Sequence, residues 1–340
     1  MKIKDLCSYA PKSKIKAGEA VENAKYIFFT SSADENKRYT DFQFDKEAII
    51  MGTGGNATLH YYNGKFSVST DCLVLFPNSK IKCKYLYYFF KSHMSVLEAG
   101  FKGAGLKHTN KKYIEEINVS EVPDLTTQEK IIFHLDTISG NIEKLNRELE
   151  LFDSLTKARF IEMFGDPVLN ERKFPTLSGA DFFKLSNGRA VPDEKRIEAG
   201  IPAYGGNGIS WYTDEFLMAE DTIVVGRVGF QSGNVHYVIG PLWITDNAMY
   251  ISQYDKDKFN LRFLYELMLH VNFSRFQDAG DLKKITQKPF MTFKYILPSM
   301  DLQQKFVNFK IEVDKSKLAV QKSLEKTQQL FDSLMQEYFG

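Results

Sequence analysis

The sequence predicts an α/β (α+β) protein made of two similar globular domains joined by two long helices that form an antiparallel coiled coil. Two stretches, EVPDLTTQEKI at 121–131 and ILPSMDLQQKF at 296–306, repeat a proline, a short polar turn and an apolar run that opens with Gln and Lys. Each stretch begins a segment with the apolar spacing of a helix packed on one partner. Each follows short alternating runs rich in Tyr, Phe, Gly and Asn, which are typical of strands bounded by turns.

The chain carries an internal repeat, a feature that decides how the rest of the sequence is divided. One offset of 175 residues separates several matching pairs: Pro123 and Pro298, Gln128 and Gln303, Asp71 and Asp246, and Gly165 and Gly340. The repeat predicts a pseudo-two-fold plan with globular domains at 1–125 and 166–300 and long helices at 126–165 and 301–340.

The two helices each show a single apolar seam. Thr126 with Glu129 predicts a capping box at the start of the first helix, and Asp301 is the predicted cap of the second. Each helix would have about 38 residues and a length of about 57 Å. Helices this long with a narrow apolar stripe favour pairing with each other. The predicted seam consists of Ile131, Leu135, Ile138, Ile142, Leu145, Leu149 and Phe152 in the first helix, and Phe306, Phe309, Val313, Val320, Leu324, Phe331 and Leu334 in the second.

Composition bounds the class of protein. The 340 residues are 43% hydrophobic and 26% charged, ordinary values for a globular protein. The N-terminal stretch lacks an apolar signal region, no run is apolar enough to span a membrane, and the three cysteines are scattered, so we expect a cytoplasmic location. The formal net charge of +1 argues against nucleic-acid binding through bulk charge, so any DNA contact requires a local patch or a partner.

Motifs for catalysis are absent from the sequence. No G-x-x-x-x-G-K-[ST] phosphate loop, H-E-x-x-H or C-x-x-C occurs, and no dinucleotide fingerprint opens a helix. PDEKR at 192–196 has the residue types of a metal nuclease, but its carboxylates are adjacent instead of spread over two strands. The sequence therefore predicts no catalytic residue and no metal site.

The two-copy arrangement resembles the specificity (S) subunit of type I restriction–modification enzymes. The resemblance rests on VPDLTTQEKI and LPSMDLQQKF, on AIIMGTGGNATLHYYNGKFSVSTD in the first half, and on IPAYGGNGISWYTDEF, TIVVGRVGFQSGNVHYV and LWITDNAMYIS in the second. It covers essentially the whole chain, although 340 residues is short for the family.

The resemblance implies a division of labour. Each globular domain would be a target recognition domain that reads one half of a bipartite double-stranded DNA site. The helices would set the half-site spacing and dock methylation (M) subunits, two in number, while restriction (R) motor subunits cleave. The chain would be non-catalytic and bind no cofactor itself, with S-adenosylmethionine, ATP and Mg held by the partners.

Residues that read base edges or hold phosphates are sought among Arg, Lys, Asn, Gln, His and Thr near the repeated glycines and near the helix entries. GAGLKHTNKK and AGDLKKITQK fall at nearly the same repeat position. The candidates are Thr53, Asn56, Lys102, Lys107, His108, Lys111 and Lys112 in the first half, and Asn207, Arg227, Gln231, Lys283, Lys284, Gln287 and Lys288 in the second.

Three other hypotheses remain open at this point. A self-contained nuclease or methyltransferase would bind S-adenosylmethionine or cut DNA alone. A coiled-coil scaffold joining two protein-binding domains would bind no specific DNA sequence. A specificity subunit of a combined type II restriction–methylation enzyme would share the architecture but serve a different partner.

Overall fold

The computed structural model describes residues 1–105, 107–119, 121–190, 192–280 and 283–340. The chain forms two compact units. Unit 1 comprises Met1–Arg147 and Gln321–Gly340, and unit 2 comprises Glu148–Val320. Each unit contains one globular segment and a part of each long helix. None of the described helices is both long and apolar enough to cross a membrane.

Unit 1 is built on one mixed sheet of six strands in the order β1-β6-β4-β5-β2-β3. All neighbours are antiparallel except β2 and β5. The strands are β1 (Cys7–Tyr9), β2 (Tyr26–Phe29), β3 (Arg38–Tyr39), β4 (Phe44–Gly52), β5 (Leu59–Val68) and β6 (Cys72–Pro77). The helices are α1 (Ile3–Leu6), α2 (Cys83–Ser92), α3 (Met94–Ala99), α4 (Lys111–Glu116) and the first long helix, α5 (Leu125–Phe164).

Unit 2 divides its strands among three sheets, with orders β10-β9-β13, β12-β11-β14-β8 and β15-β7. The strands are β7 (Thr176–Ser178), β8 (Phe183–Asn187), β9 (Ile201–Gly205), β10 (Gly208–Thr213), β11 (Thr222–Gly226), β12 (Val235–Val238), β13 (Trp243–Ile244), β14 (Ala248–Tyr254) and β15 (Lys294–Ile296). The helices are α6 (Leu261–Val271), α7 (Lys288–Thr292) and the second long helix, α8 (Met300–Phe339).

The long helices run antiparallel within each unit. In unit 1, His134 of α5 meets the Tyr338 hydroxyl at 3.0 Å. In unit 2, the Lys317 ammonium pairs with Asp153 at 2.6 Å, and Phe160 packs edge-on against Phe306 at 5.4 Å. Every residue of the predicted seam is buried or half-buried. The apolar stripe therefore lies against protein in both helices.

The predicted helix caps were each wrong by two residues. The first helix begins at Leu125, and its cap is Asp124, whose carboxylate accepts from Thr127 N at 3.0 Å. In the second helix the Ser299 hydroxyl accepts from Leu302 N at 3.4 Å, and Asp301 lies inside the first turn. Both caps satisfy amide groups that have no partner within the helix.

The repeated glutamine of the first long helix is a buried clamp. Gln128 is fully buried, and its side-chain carbonyl accepts from Lys82 N at 2.7 Å. Its amide donates to the carbonyls of Lys80, at 3.2 Å, and Pro123, at 2.7 Å. The side chain thereby ties the entry of the long helix to the start of α2.

Gln303 forms the same clamp in unit 2. It is also fully buried, and it accepts from Asn260 N at 2.9 Å. It donates to the carbonyls of Lys258, at 2.9 Å, and Pro298, at 3.0 Å. The proline and glutamine repeated in the sequence therefore meet in one hydrogen bond in each half, which explains physically why both stretches share them.

Candidate nucleic-acid interface

The first candidate surface, in unit 1, is built around the loop that follows β4. The backbone of Thr53 donates to the Asp71 carbonyl at 2.8 Å and accepts from Thr109 N at 3.0 Å. Two residues further on, Gly55 N donates to the Lys107 carbonyl at 2.9 Å. These bonds join the loop to the basic segment after α3, so two stretches far apart in sequence form one surface.

The basic segment folds back on itself beside this loop. Lys102 and His108 exchange two backbone hydrogen bonds, at 2.9 and 3.0 Å. The His108 ring lies over Gly54, where an added Cβ would come within 3.1 Å of the ring. Asn56, Lys102, Lys107 and His108 are exposed. The structure thus brings these predicted residues together and turns their side chains to solvent.

The remaining predicted lysines of unit 1 differ in their partners. Lys111 pairs with Glu115 at 3.5 Å, and its ammonium lies 4.5 Å from the centre of the Tyr9 ring. Lys112 is exposed on the same helix and makes no ion pair with any described residue, and the same holds for Lys102 and Lys107. Lys111 is therefore the weakest candidate for a phosphate contact in this unit.

The second candidate surface, in unit 2, is built around the loop between β11 and β12. The backbone of Arg227 donates to the Asn247 carbonyl and accepts from Ile285 N, both at 2.9 Å. Gly229 N donates to the Lys283 carbonyl at 2.8 Å. The loop is thereby joined to the second basic segment.

Four main-chain bonds recur in both units, and we call them the hydrogen-bond frame. The frame extends into the basic segments, because Asp278 N donates to the Lys284 carbonyl at 2.9 Å just as Lys102 N donates to that of His108. Leu106, Asp281 and Leu282 of these segments lie outside the described residues. Matching positions are Thr53 and Arg227, Gly55 and Gly229, Lys102 and Asp278, Lys107 and Lys283, His108 and Lys284, and Thr109 and Ile285.

The second surface contains a cavity of about 800 Å³ that is open to solvent. Asn207, Gln231 and Lys284 contribute to its wall. Arg227 is half-buried beside it and donates to the Asp246 carbonyl at 3.3 Å. The cavity is lined by Gly205, Gly206, Asn207, Ser210, Val228, Gly229, Phe230, Gln231, Asn247 and Lys284.

Besides Arg227, three predicted residues of unit 2 lie outside the cavity wall. Lys283 is half-buried, and its carbonyl serves the hydrogen-bond frame. Gln287 donates to the Asn187 side chain at 3.4 Å, and Lys288 is the first residue of α7. None of these three side chains lines the cavity.

Sequence reasoning missed two residues of this surface. Phe230 is 90% exposed at the tip of the loop. Gln277 donates from its side-chain amide to the Phe230 carbonyl at 3.1 Å and also to the Ser232 carbonyl. The available signal was the isolated aromatic residue in the glycine-rich stretch VGFQSG, where no apolar periodicity accounts for it.

Titratable groups do not assemble into a reactive centre in the part of the chain that the structure describes. No three His, Cys, Asp or Glu side chains there could hold a metal ion. Cys7, Cys72 and Cys83 are buried free thiols, and burial raises the pKa of Cys7 to about 12 and that of Cys72 to about 11. These two thiols stay protonated at neutral pH and are poor nucleophiles.

The chain matches the family model of the type I restriction modification DNA specificity domain over residues 1–151 and 174–328. The two matches cover most of the chain, one in each half. The protein therefore belongs to the type I restriction–modification DNA specificity family, and its role is DNA recognition within a system of that type.

Known relatives agree with this assignment. The chain is 21% identical over 352 residues to a candidate type I specificity subunit of Mycoplasma genitalium, covering 96% of this chain and 91% of the relative. It is 32% identical over 165 residues to the type I restriction enzyme MpnII specificity subunit of Mycoplasma pneumoniae, covering 44% and 47% of the two chains. A crystal structure of a type I restriction–modification S subunit from M. genitalium shares the fold, with a TM-score of 0.77, 19% identity and coverage of 100% and 95%.

Proposed function

We propose that each unit reads one half of a bipartite DNA site. The observation that carries this proposal is the hydrogen-bond frame, which supports a glycine-bearing loop and a basic segment in both units. The two loops carry different side chains, such as Thr53 against Arg227 and Asn56 against Phe230. A hydrogen-bond frame shared by both units, with different side chains on the two loops, suits two half-sites of different sequence.

The side chains fit two kinds of DNA contact. Lysines that form no ion pair with a described residue, such as Lys107 and Lys284, suit phosphates, which position a protein on the duplex without reading its sequence. Asn56, Asn207, Arg227 and Gln231 carry the amide and guanidinium groups that bond base edges.

The paired helices would set the distance between half-sites and dock methylation subunits. A helix of 40 residues, such as α5, is about 60 Å long. Large apolar side chains remain exposed on it, including Phe133 at 68% and Leu151 at 59%. Leu155, one helical turn beyond Leu151, is also 48% exposed, and adjacent exposed apolar side chains are typical of surfaces that bind another protein.

The chain itself would be non-catalytic. Two methylation subunits would bind S-adenosylmethionine and methylate adenine, and restriction subunits would use ATP and Mg²⁺ to move and cleave DNA. The absence of reactive motifs from the sequence supports this division, and we propose a cytoplasmic location for the complex.

The test is a genome-wide map of methylated adenines in the source cell with and without this gene. We expect one split motif, two short half-sites with a fixed gap, to lose methylation when the gene is deleted. An unchanged map in cells that express the methylation subunits would contradict the proposal and favour a protein scaffold.

Replacing Lys284 by alanine should weaken DNA binding at every sequence. If its ammonium holds one phosphate, the negative slope of log K against log salt should become shallower by about 0.9. The measurement is fluorescence anisotropy of specific and random duplexes with the complex of this chain and its methylation subunits, at several salt concentrations.

Lys256→Ala is the matched control, because Lys256 is exposed in the same unit but pairs with Glu220 at 2.9 Å, away from the loop. We expect its salt slope to equal that of the wild type. A slope that Lys284→Ala leaves unchanged, or a loss confined to the specific duplex, would remove Lys284 from the phosphate contacts.

A further inference from the structure

The tip of the second loop is a tight turn with two outward side chains. Ser232 N donates to the Gly229 carbonyl at 3.0 Å, which closes a four-residue turn with Phe230 and Gln231 at its corners. Gly229 has a φ of +86°, a conformation that favours glycine. The turn projects Phe230 and Gln231 together into solvent.

The turn is held in place on both sides. The Gln277 side chain bonds the carbonyls of Phe230 and Ser232, one on either side of Gln231. On the opposite flank, Gly229 N donates to Lys283 O. A loop fixed by such bonds loses little conformational entropy when it binds, so its shape is already suited to a partner.

The Phe230 side chain packs little against the described residues. It is 90% exposed, the highest value among the exposed large apolar side chains of the described residues. Covering an exposed apolar ring with a partner lowers the free energy, because the ring is removed from water. The residue that follows the matching Gly55 in unit 1 is the polar Asn56, so the hydrogen-bond frame does not require an aromatic residue here.

We infer that this turn enters the major groove and that Phe230 contacts the C5-methyl group of a thymine. The inference rests on the proposed function and names one base contact of unit 2. The thymine methyl is the apolar group that the major-groove edge of a base pair offers. Gln231, at the other corner, could bond an adenine edge.

The size of the turn favours the major groove over the minor groove. Two paired backbone segments lie about 4.8 Å apart, and their own thickness brings the width to about 10 Å. The major groove is about 12 Å wide and the minor groove about 6 Å. A wedge between base steps, which apolar side chains make from the minor groove, is therefore disfavoured.

The experiment replaces each thymine of the mapped site, one at a time, by deoxyuridine, which removes the methyl and keeps every hydrogen-bonding group. Binding is measured with the complex of the full chain and its methylation subunits. We expect the wild-type affinity to fall about fourfold at one thymine of one half-site, the value of one buried methyl. Phe230→Ala should bind the thymine and deoxyuridine duplexes equally, and Phe230→Leu should keep part of the difference.

Phe216→Ala is the matched control, since it removes another exposed aromatic side chain of unit 2, 55% exposed. It should leave the deoxyuridine response intact. A flat wild-type scan, or the same response in Phe230→Ala, would overturn the inference. A 2-aminopurine signal that rises on binding and vanishes in Phe230→Ala would overturn it in favour of a wedge. Absence of any site-specific binding would instead contradict the proposed function.

Discussion

Replacing Gln303 by alanine is expected to lower the free energy of unfolding of unit 2 by about 4 kcal/mol. The substitution removes three hydrogen bonds from a fully buried side chain. It leaves three backbone groups without the hydrogen bonds that Gln303 supplied: the amide of Asn260 at the start of α6 and the carbonyls of Lys258 and Pro298. Buried polar groups left without partners cost about 1–3 kcal/mol each, partly offset where a carbonyl has another donor.

The effect can be measured by denaturant unfolding followed by tryptophan fluorescence. Trp211 and Trp243 are the chain's two tryptophans, and both lie in unit 2, so their signal reports this unit. Gln304→Ala is the control, because Gln304 is the exposed neighbour on the same helix, and it should cost under about 1 kcal/mol. Equal losses for the two variants would refute the clamp role.

Replacing Lys310 by methionine is expected to destabilise unit 2 by about 3 kcal/mol at neutral pH. Glu266 on α6 is 5% exposed, and its nearest cation is Lys310 on α8, at 3.7 Å. Lys310 also pairs with Asp314. Removing the cation leaves a buried carboxylate beside a second acid, so Glu266→Gln in the same chain should restore most of the loss.

The pH dependence of this pair follows from the direction of the shift. Burial raises the pKa of Glu266 above its usual 4.5, Asp314 and Asp153 raise it further, and Lys310 opposes the rise. The folded state therefore holds the Glu266 proton more tightly than the unfolded chain does. The protonated carboxyl stabilises the fold, and this contribution is fully present below pH 4.5. It is lost as the pH rises through the folded pKa.

Unfolding midpoints measured across this range should fall with rising pH for the wild type and stay flatter for Glu266→Gln. Lys315→Met provides the control, since its ion pair with Glu312 is exposed on both sides. It should cost less than about 1 kcal/mol at any pH. A Lys310→Met chain as stable as this control would show that Glu266 needs no cation.

The long helices could be predicted from the sequence because a single apolar seam repeats over many turns. Their caps could not, since Asp124 and Thr126 are both good caps and the choice between them depends on where the backbone turns. The sheets were beyond prediction for another reason. Pairing β2 parallel to β5 depends on long-range register, which local alternation does not encode.

The sequence locates the two loops and the basic segments of the candidate surfaces, and their use in binding stays a prediction. Repeated glycines and basic segments point to both loops, but only the folded chain shows that main-chain bonds join Gly55 to Lys107 and Gly229 to Lys283. Phe230 was missed because base reading was sought among polar side chains. An aromatic residue in a loop is visible in the sequence, but its 90% exposure is a tertiary property.

The hydrogen-bond frame also bears on how this protein can change over generations. Its bonds use only amide and carbonyl groups, which every residue except proline supplies in full. Substitutions at tip positions such as Asn56 and Phe230 therefore leave the scaffold's bonds intact. Mutational freedom is therefore greatest at the loop tips. Under the proposed function, a lineage could acquire a new target sequence there without first losing a folded protein.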